Sequence, residues 1–282
     1  MQQWLMDNKI PLGLWIKHGV DATKQWRWFF DGVSAGLSFF INGLTDLLLW
    51  PPAVVNIAAL CALAYWLHRS LWLVLYIALA LLLIINLGFW KETMQTLSLV
   101  SWATVICMGL GVPLGIAAAH RPRLFNVMRP VLDLMQTLPT FVYLIPTLIL
   151  FGLGVAPGLI STIVFALPAP IRLTQLGIAS VPKHLIEAGE AFGATRRQLL
   201  WKIELPCAMP TIMAGVTQCI MLSLSMVVIA ALVAADGLGK PVVRALNSVN
   251  VGMGFEAGLC IVLLAIVLDR VFKQAAPPAG KR

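Results

Sequence analysis

LMQTLPTFVYLIPTLILFGLGVAPGLISTIVFALPAPI, residues 134–171, runs for 38 positions without one Asp, Glu, Lys or Arg. About 20 mostly apolar residues cross the roughly 30 Å hydrocarbon core of a bilayer as a helix. The run is therefore long enough for two spans, and Val155-Ala156-Pro157-Gly158 near its middle reads as the turn between them. Uncharged windows of the same kind lie on both sides. Upstream are residues 51–67, 70–90 and 93–119; downstream are 205–235 and about 254–270, the last with Glu256 in its first turn. The windows predict an all-α polytopic membrane protein with about seven transmembrane helices.

Composition agrees. Of 282 residues, 60% are hydrophobic, and 20 Lys/Arg plus 12 Asp/Glu make only 11% charged, against about 25% in a soluble domain. A soluble fold of this size leaves roughly a third of the unfolded chain's surface wet and cannot hide so much apolar area. Disordered chains are charge-rich and apolar-poor, so that class is excluded too. The net charge of +8 reads as topology before nucleic acid, because Lys and Arg gather in cytoplasmic loops. With the N-terminus outside and the C-terminus inside, the chain after residue 90 places 12 positive charges inside and three (Lys91, Lys240, Arg244) outside. The tail before the first span, with four Lys/Arg and three Asp outside, runs against that bias but is outweighed by it. Residues 34–49 carry apolar positions at helical spacing and read either as an interfacial amphipathic helix or as an extension of the first span, with Pro51-Pro52 favouring a break.

Chemistry-bearing patterns are sparse. No G-x-x-x-x-G-K-[ST] phosphate loop, H-E-x-x-H or G-x-S-x-G occurs. The five cysteines form no C-x-x-C and lie within or beside apolar stretches, where Cys acts as a small hydrophobe. His18, His68, His120 and His184 are scattered, so no metal site is indicated. The informative segment is residues 180–206, SVPKHLIEAGEAFGATRRQLLWKIELP. Gly193 can stop a first helix in the left-handed region. Thr195 with Gln198 reads as a capping box that opens a second, and Pro206 reads as the end of the loop where the next span begins. Such a helix–Gly–helix elbow with apolar faces suits docking into a groove on a partner.

Glu187-Ala188-Gly189, three residues, Gly193, nine residues and then Ile203-Glu204-Leu205-Pro206 resemble the EAA loop of ABC-importer permeases. Gly189 departs, standing where that motif has its second Ala. Residues 135–146, 151–154, 170–174, 176–178, 208–215, 223–230, 237–239 and 268–270 resemble the permeases of glycine betaine/proline betaine and choline importers. The likeness covers about residues 90–272; residues 1–50 match far less specifically. It implies a five-helix, MetI-like core of the type I importer at 91–272 with its coupling loop at 180–206. It also implies two accessory helices at 51–90, an N-terminal tail at 1–50 and a cytoplasmic tail at 273–282. It further implies a bacterial inner-membrane protein that works with a second permease copy as a homodimer, two ABC ATPase subunits that carry ATP and Mg, and a periplasmic or lipid-tethered binding protein. The chain itself is then no enzyme and holds no cofactor. In that family the loop carries ATPase closure to the spans, which assigns coupling to Glu187, Ala188, Gly189, Gly193, Ile203, Leu205 and Pro206.

Other residues admit two readings each. Pro139, Pro146, Pro168, Pro170 and Pro210 interrupt or open spans, either as pore-lining kinks or as ordinary membrane architecture. Ser223, Ser225 and Met226 face a passage or, for the serines, bond their own backbone; with Pro139, Tyr143 and Pro146 they are the candidates for a translocation path. Gly109, Gly111 and Gly115 suit close helix packing. Asp236 with Gly237-Leu238-Gly239 is a binding-protein contact or a simple turn. Tryptophans sit mostly near span ends, as an interface belt requires, and a tryptophan cage for a quaternary ammonium is disfavoured. The rival class, an ATP-independent secondary transporter or channel, needs internal repeats and intramembrane ionisable groups. No clear repeat occurs, and the ionisable residues singled out near span ends are Arg172 and Glu256.

Overall fold

The computed structural model describes residues 26–273 together with Trp15 and His18. Among them all regular structure is helical. The helices are α1 (Arg27–Leu49), α2 (Ala53–His68), α3 (Leu71–Asn86), α4 (Trp90–His120), α5 (Pro122–Thr137), α6 (Thr140–Phe151), α7 (Val155–Ala166), α8 (Pro168–Ala179), α9 (Lys183–Ala191), α10 (Arg196–Leu199), α11 (Leu205–Ala230), α12 (Gly239–Asn247) and α13 (Val251–Lys273). The tail charges Lys9, Lys17 and Lys24 and the predicted tail beyond Lys273 lie outside the described residues.

Five helical stretches are long and apolar enough to cross a membrane: α1, α4, α7 with α8, Arg196–Val233, and α13. Counting the bent pair α5–α6 as one gives up to six. The windows at 93–119, 205–235 and 254–270 thus fall on long helices. Those at 51–67 and 70–90 become α2 and α3, of 16 residues each, or about 24 Å at 1.5 Å per residue.

Three expectations are corrected. Val155-Ala156-Pro157-Gly158 is no turn: it is the buried first turn of α7. The chain reverses just before it, where Gly152 and Gly154 take φ of +75° and +140°. Proline is tolerated in a first helical turn, where its missing N–H has no partner to lose. Second, Pro206 does not separate loop from span, because helix continues from Arg196 through to Val233. Third, α1 begins at Arg27 and is parted from α2 by the break at Trp50–Pro52, so residues 34–49 are not an extension of α2.

The uncharged run at 134–171 folds as α6 and the α7–α8 rod. Pro139 holds the extended dihedrals (φ −53°, ψ 133°) at the start of α6, and α5 and α6 meet there at 92°. The Tyr143 hydroxyl spans the bend, donating to Met135 O at 2.5 Å. α8 is clamped between α4 and α11. A Cβ on Gly111 would lie 2.8 Å from Pro170 Cγ, and one on Gly115 would lie 2.6 Å from Thr174 Cβ; Gly215 approaches Pro170 and Leu173 from the other side. Without side chains at these points the backbones come close, and dispersion contacts hold the interface where lipid offers no hydrophobic drive. The α2–α3 hairpin packs on α13 through Ile57, Ala64, Ile77, Leu81, Leu264 and Val267.

Candidate functional site

One end of the bundle carries the elbow. α9 starts after Pro182, whose φ of −59° is set by its ring. It stops at Gly193, which takes φ +75°; the Gly193 N–H donates to Glu190 O at 2.9 Å and the Ala194 N–H to Gly189 O at 3.0 Å. Thr195 then caps the next turn. Its Oγ1 accepts from the Gln198 N–H at 3.4 Å, and the Gln198 side chain accepts from the Thr195 N–H at 2.8 Å. Both halves of the predicted capping box are therefore present.

The second half of the elbow changes pitch. Leu200–Glu204 form a π-turn, closed by the Leu205 N–H on Leu200 O. Pro206 stands at the start of α11 without an N–H, so the Lys202 carbonyl has no α-helical donor. The widened turn sits at the point where that donor is missing.

The elbow folds shut on Gly189. A Cβ there would lie 2.6 Å from both Ile203 Cδ1 and Leu199 Cδ2, so the residue that departs from the EAA pattern is the one the second helix leans on. Glu187, Ala188, Gly193 and Pro206 are exposed, while Gly189, Ile203 and Leu205 are half-buried. None of α9 is buried. Phe192, at the tip, is 93% exposed.

A cavity of about 630 Å³ lies between the elbow and the end of α4, lined in part by Ile186, Glu190, Arg196, Arg197 and His120. At its edge the Glu204 carboxylate, itself buried, bonds His120 Nε2 at 2.8 Å. Sequence reasoning missed this contact, since the partners are 84 residues apart and neither type is unusual in its own segment. A second ion pair, Arg172 to Asp133 at 2.7 Å, ties α8 to α5.

The candidate path residues are spread. Pro139 and Tyr143 belong to the α5–α6 bend, and Pro146 lies within α6. Ser223 and Met226 are buried in α11, whereas Ser225 faces outward and donates to Met221 O at 3.0 Å. The outward stripe of α11 also carries Pro210, Ala214 and Gln218, and Gln218 was not singled out by sequence. At the far end, Asp236 pairs with Lys240 one turn on, and the Leu238 N–H donates to Thr96 Oγ1 at 2.8 Å.

Membrane-length helices clamped by glycine, with a helix–Gly–helix elbow at one end, are the arrangement expected of a MetI-like importer permease. A chain in solved structures of the MetNI methionine ABC transporter in inward-facing conformations shares that fold. Two such structures give TM-scores of 0.59 and 0.57 at 20% and 21% identity, covering 67% and 64% of this chain and 96% and 93% of the other. Residues 111–277 match the family described as binding-protein-dependent transport system inner membrane component. The chain belongs to that family. It is 46% identical over 264 residues to the glycine betaine transport system permease protein of Bacillus subtilis, covering 93% of each. It is also 46% identical over 274 residues to the glycine betaine/proline betaine transport system permease protein of Escherichia coli, with 97% of this chain and 77% of the other covered. A glycine betaine/carnitine transport permease protein of Listeria monocytogenes is 43% identical over 269 residues, covering 93% and 94%. The protein is thus a multi-pass inner-membrane permease that works with an ATPase subunit and a binding protein.

Proposed function

We propose that this permease passes quaternary ammonium compounds, with glycine betaine, proline betaine and choline as the candidate substrates. The observation that carries the reading is the identity of 46% over almost the whole chain to permeases named for glycine betaine. The elbow supplies the drive. Glu187, Ala188 and Gly189 on α9, Gly193 at the corner, and Ile203, Leu205 and Pro206 beyond it form the dock for the ATPase. The exposed ring of Phe192 is its apolar anchor, of the kind that dominates docking energetics. ATP and Mg reside on the partner, since this sequence has no phosphate-cradling loop.

Two copies of the chain with two ATPase subunits form the working unit, with the elbow and the Lys/Arg-rich loops inside, the C-terminus inside, and Asp236 at the outer face. Gln218, Ser225 and Pro210 lie on the outward stripe of α11. A polar amide facing hydrocarbon loses its hydrogen bonds, so this stripe faces the second copy or the water-filled passage between them. Tyr143 and the prolines 139 and 146 set the α5–α6 bend that frames the passage. ATPase closure moves the elbow, and the bundle switches between two packings that open to opposite sides.

The test is competition for ATP-driven accumulation of labelled glycine betaine in vesicles that hold the whole complex. Unlabelled proline betaine or choline is expected to suppress the signal, and methionine to leave it unchanged. Accumulation of methionine with none of the ammonium compounds would remove the substrate assignment.

A further inference from the structure

We propose that the His120–Glu204 contact is the link through which the elbow moves α4, with the π-turn Leu200–Glu204 as the hinge on which it acts. The inference rests on reading the elbow as the ATPase dock and adds two positioning residues that the EAA pattern does not contain.

Glu204 stands between Ile203 and Leu205, at the position the EAA pattern leaves unspecified. Its side chain is nevertheless only 10% exposed. A buried carboxylate is costly unless it is paired and hydrogen-bonded. Among the described residues the partner within ion-pair distance is His120, at 2.8 Å. Charge-assisted bonds of this kind are the strong ones.

His120 is the last residue of α4, a continuous helix of 31 residues, with Pro113 two turns from that end, that runs about 46 Å. A pull at His120 therefore reaches the opposite end, where Thr96 in the same helix holds the Leu238 backbone N–H. Along the way α4 grips α8 through Gly111 and Gly115. The elbow, α4, α8 and the far loop are in this way one mechanical series.

The other end of the link is built to yield. A π-turn holds one residue more than an α-turn, and such bulges are frequent at functional sites. Sliding the bulge by one position turns the flanking residues by about 100° about the axis. That rotation would carry Glu204 away from His120. Arg196 and Arg197 line the same cavity as Glu204, as do Arg121 and Glu190. Cationic side chains of the elbow thus stand on the wall of the cavity that the carboxylate borders, and in the proposed switch they take over from His120, so that the charge is satisfied in both states.

The experiment uses the complete complex of permease, ATPase and binding protein in vesicles, and reads substrate moved per ATP hydrolysed. Glu204→Ala and His120→Ala are each expected to lower that ratio by about tenfold, the scale of losing one charged hydrogen bond. The double variant is expected to fall no further, because the two residues act as a unit. The exchanged pair, His120→Glu with Glu204→His, is expected to recover most of the ratio, while assembly and melting point stay the same in all the variants, which a merely structural pair would not allow. Glu204→Gln keeps the volume and guards against misfolding; it is expected to assemble normally and still lower the ratio. Normal ratios in the single variants, additive losses in the double, or no recovery in the exchanged pair would overturn the link. Gly193→Pro separates the two layers: if it uncouples while the pair variants do not, the link alone fails, and if it couples normally the dock reading fails with it.

Discussion

At Gly115 a methyl group would meet Thr174 Cβ at 2.6 Å and Ile171 O at 2.7 Å. Neither atom is the free end of a flexible side chain, so α4 and α8 must part to admit it. Gly115→Ala is expected to destabilise the folded protein by about 1–3 kcal/mol, the range for overpacking a well-filled interface. Gly109→Ala should not destabilise, because nothing lies within 4 Å of its missing Cβ and Ala is the better helix former. Thermal unfolding of the two purified variants in one detergent measures the difference, and equal melting points would contradict the packing account. Sequence spacing grouped the three glycines as packing residues. It did not separate Gly109 from its neighbours, because which face of α4 meets α8 depends on a helix about 60 residues away. The same limit hid Glu204: the Gly193 corner and the Thr195 cap are built from neighbours within three to five residues and were legible, whereas the His120 contact is tertiary.

Among the elements, the elbow was read most completely, since helix stop, cap and apolar faces are all local signals. Its join to the membrane was misread. Proline suggested an end, yet a helix accepts proline near its start and here absorbs it with a π-turn. Likewise Pro157-Gly158 suggested a reversal, while the backbone that reverses is at Gly152 and Gly154, whose positive φ values ordinary residues adopt at a cost. The elbow also carries a direct prediction. Glu187 is exposed on α9, so Glu187→Lys leaves the fold intact. It is expected to abolish the rise in ATP hydrolysis that loaded binding protein causes in the assembled complex. A normal rise, with the variant present at the normal level, would remove α9 from the dock.

For the whole molecule, the dearth of charge already excluded a soluble fold, and the proposed placement of the elbow inside rests on the Lys/Arg bias after residue 90. The first two windows were harder to read. Both produced helices of 16 residues, and the longer α1 preceded them in a segment where Arg27, Asp31 and Asp46 interrupt the apolar pattern. Hydropathy reports what a segment tolerates, and packing on α4 and α13 decides how α1 to α3 are used. The central claim concerns the energy source and stands or falls on one measurement: uptake of labelled glycine betaine by vesicles holding this permease with and without its ATPase, binding protein and ATP. Accumulation is expected only when all are present. Uptake by the permease alone without ATP would contradict the account and identify a secondary transporter or channel.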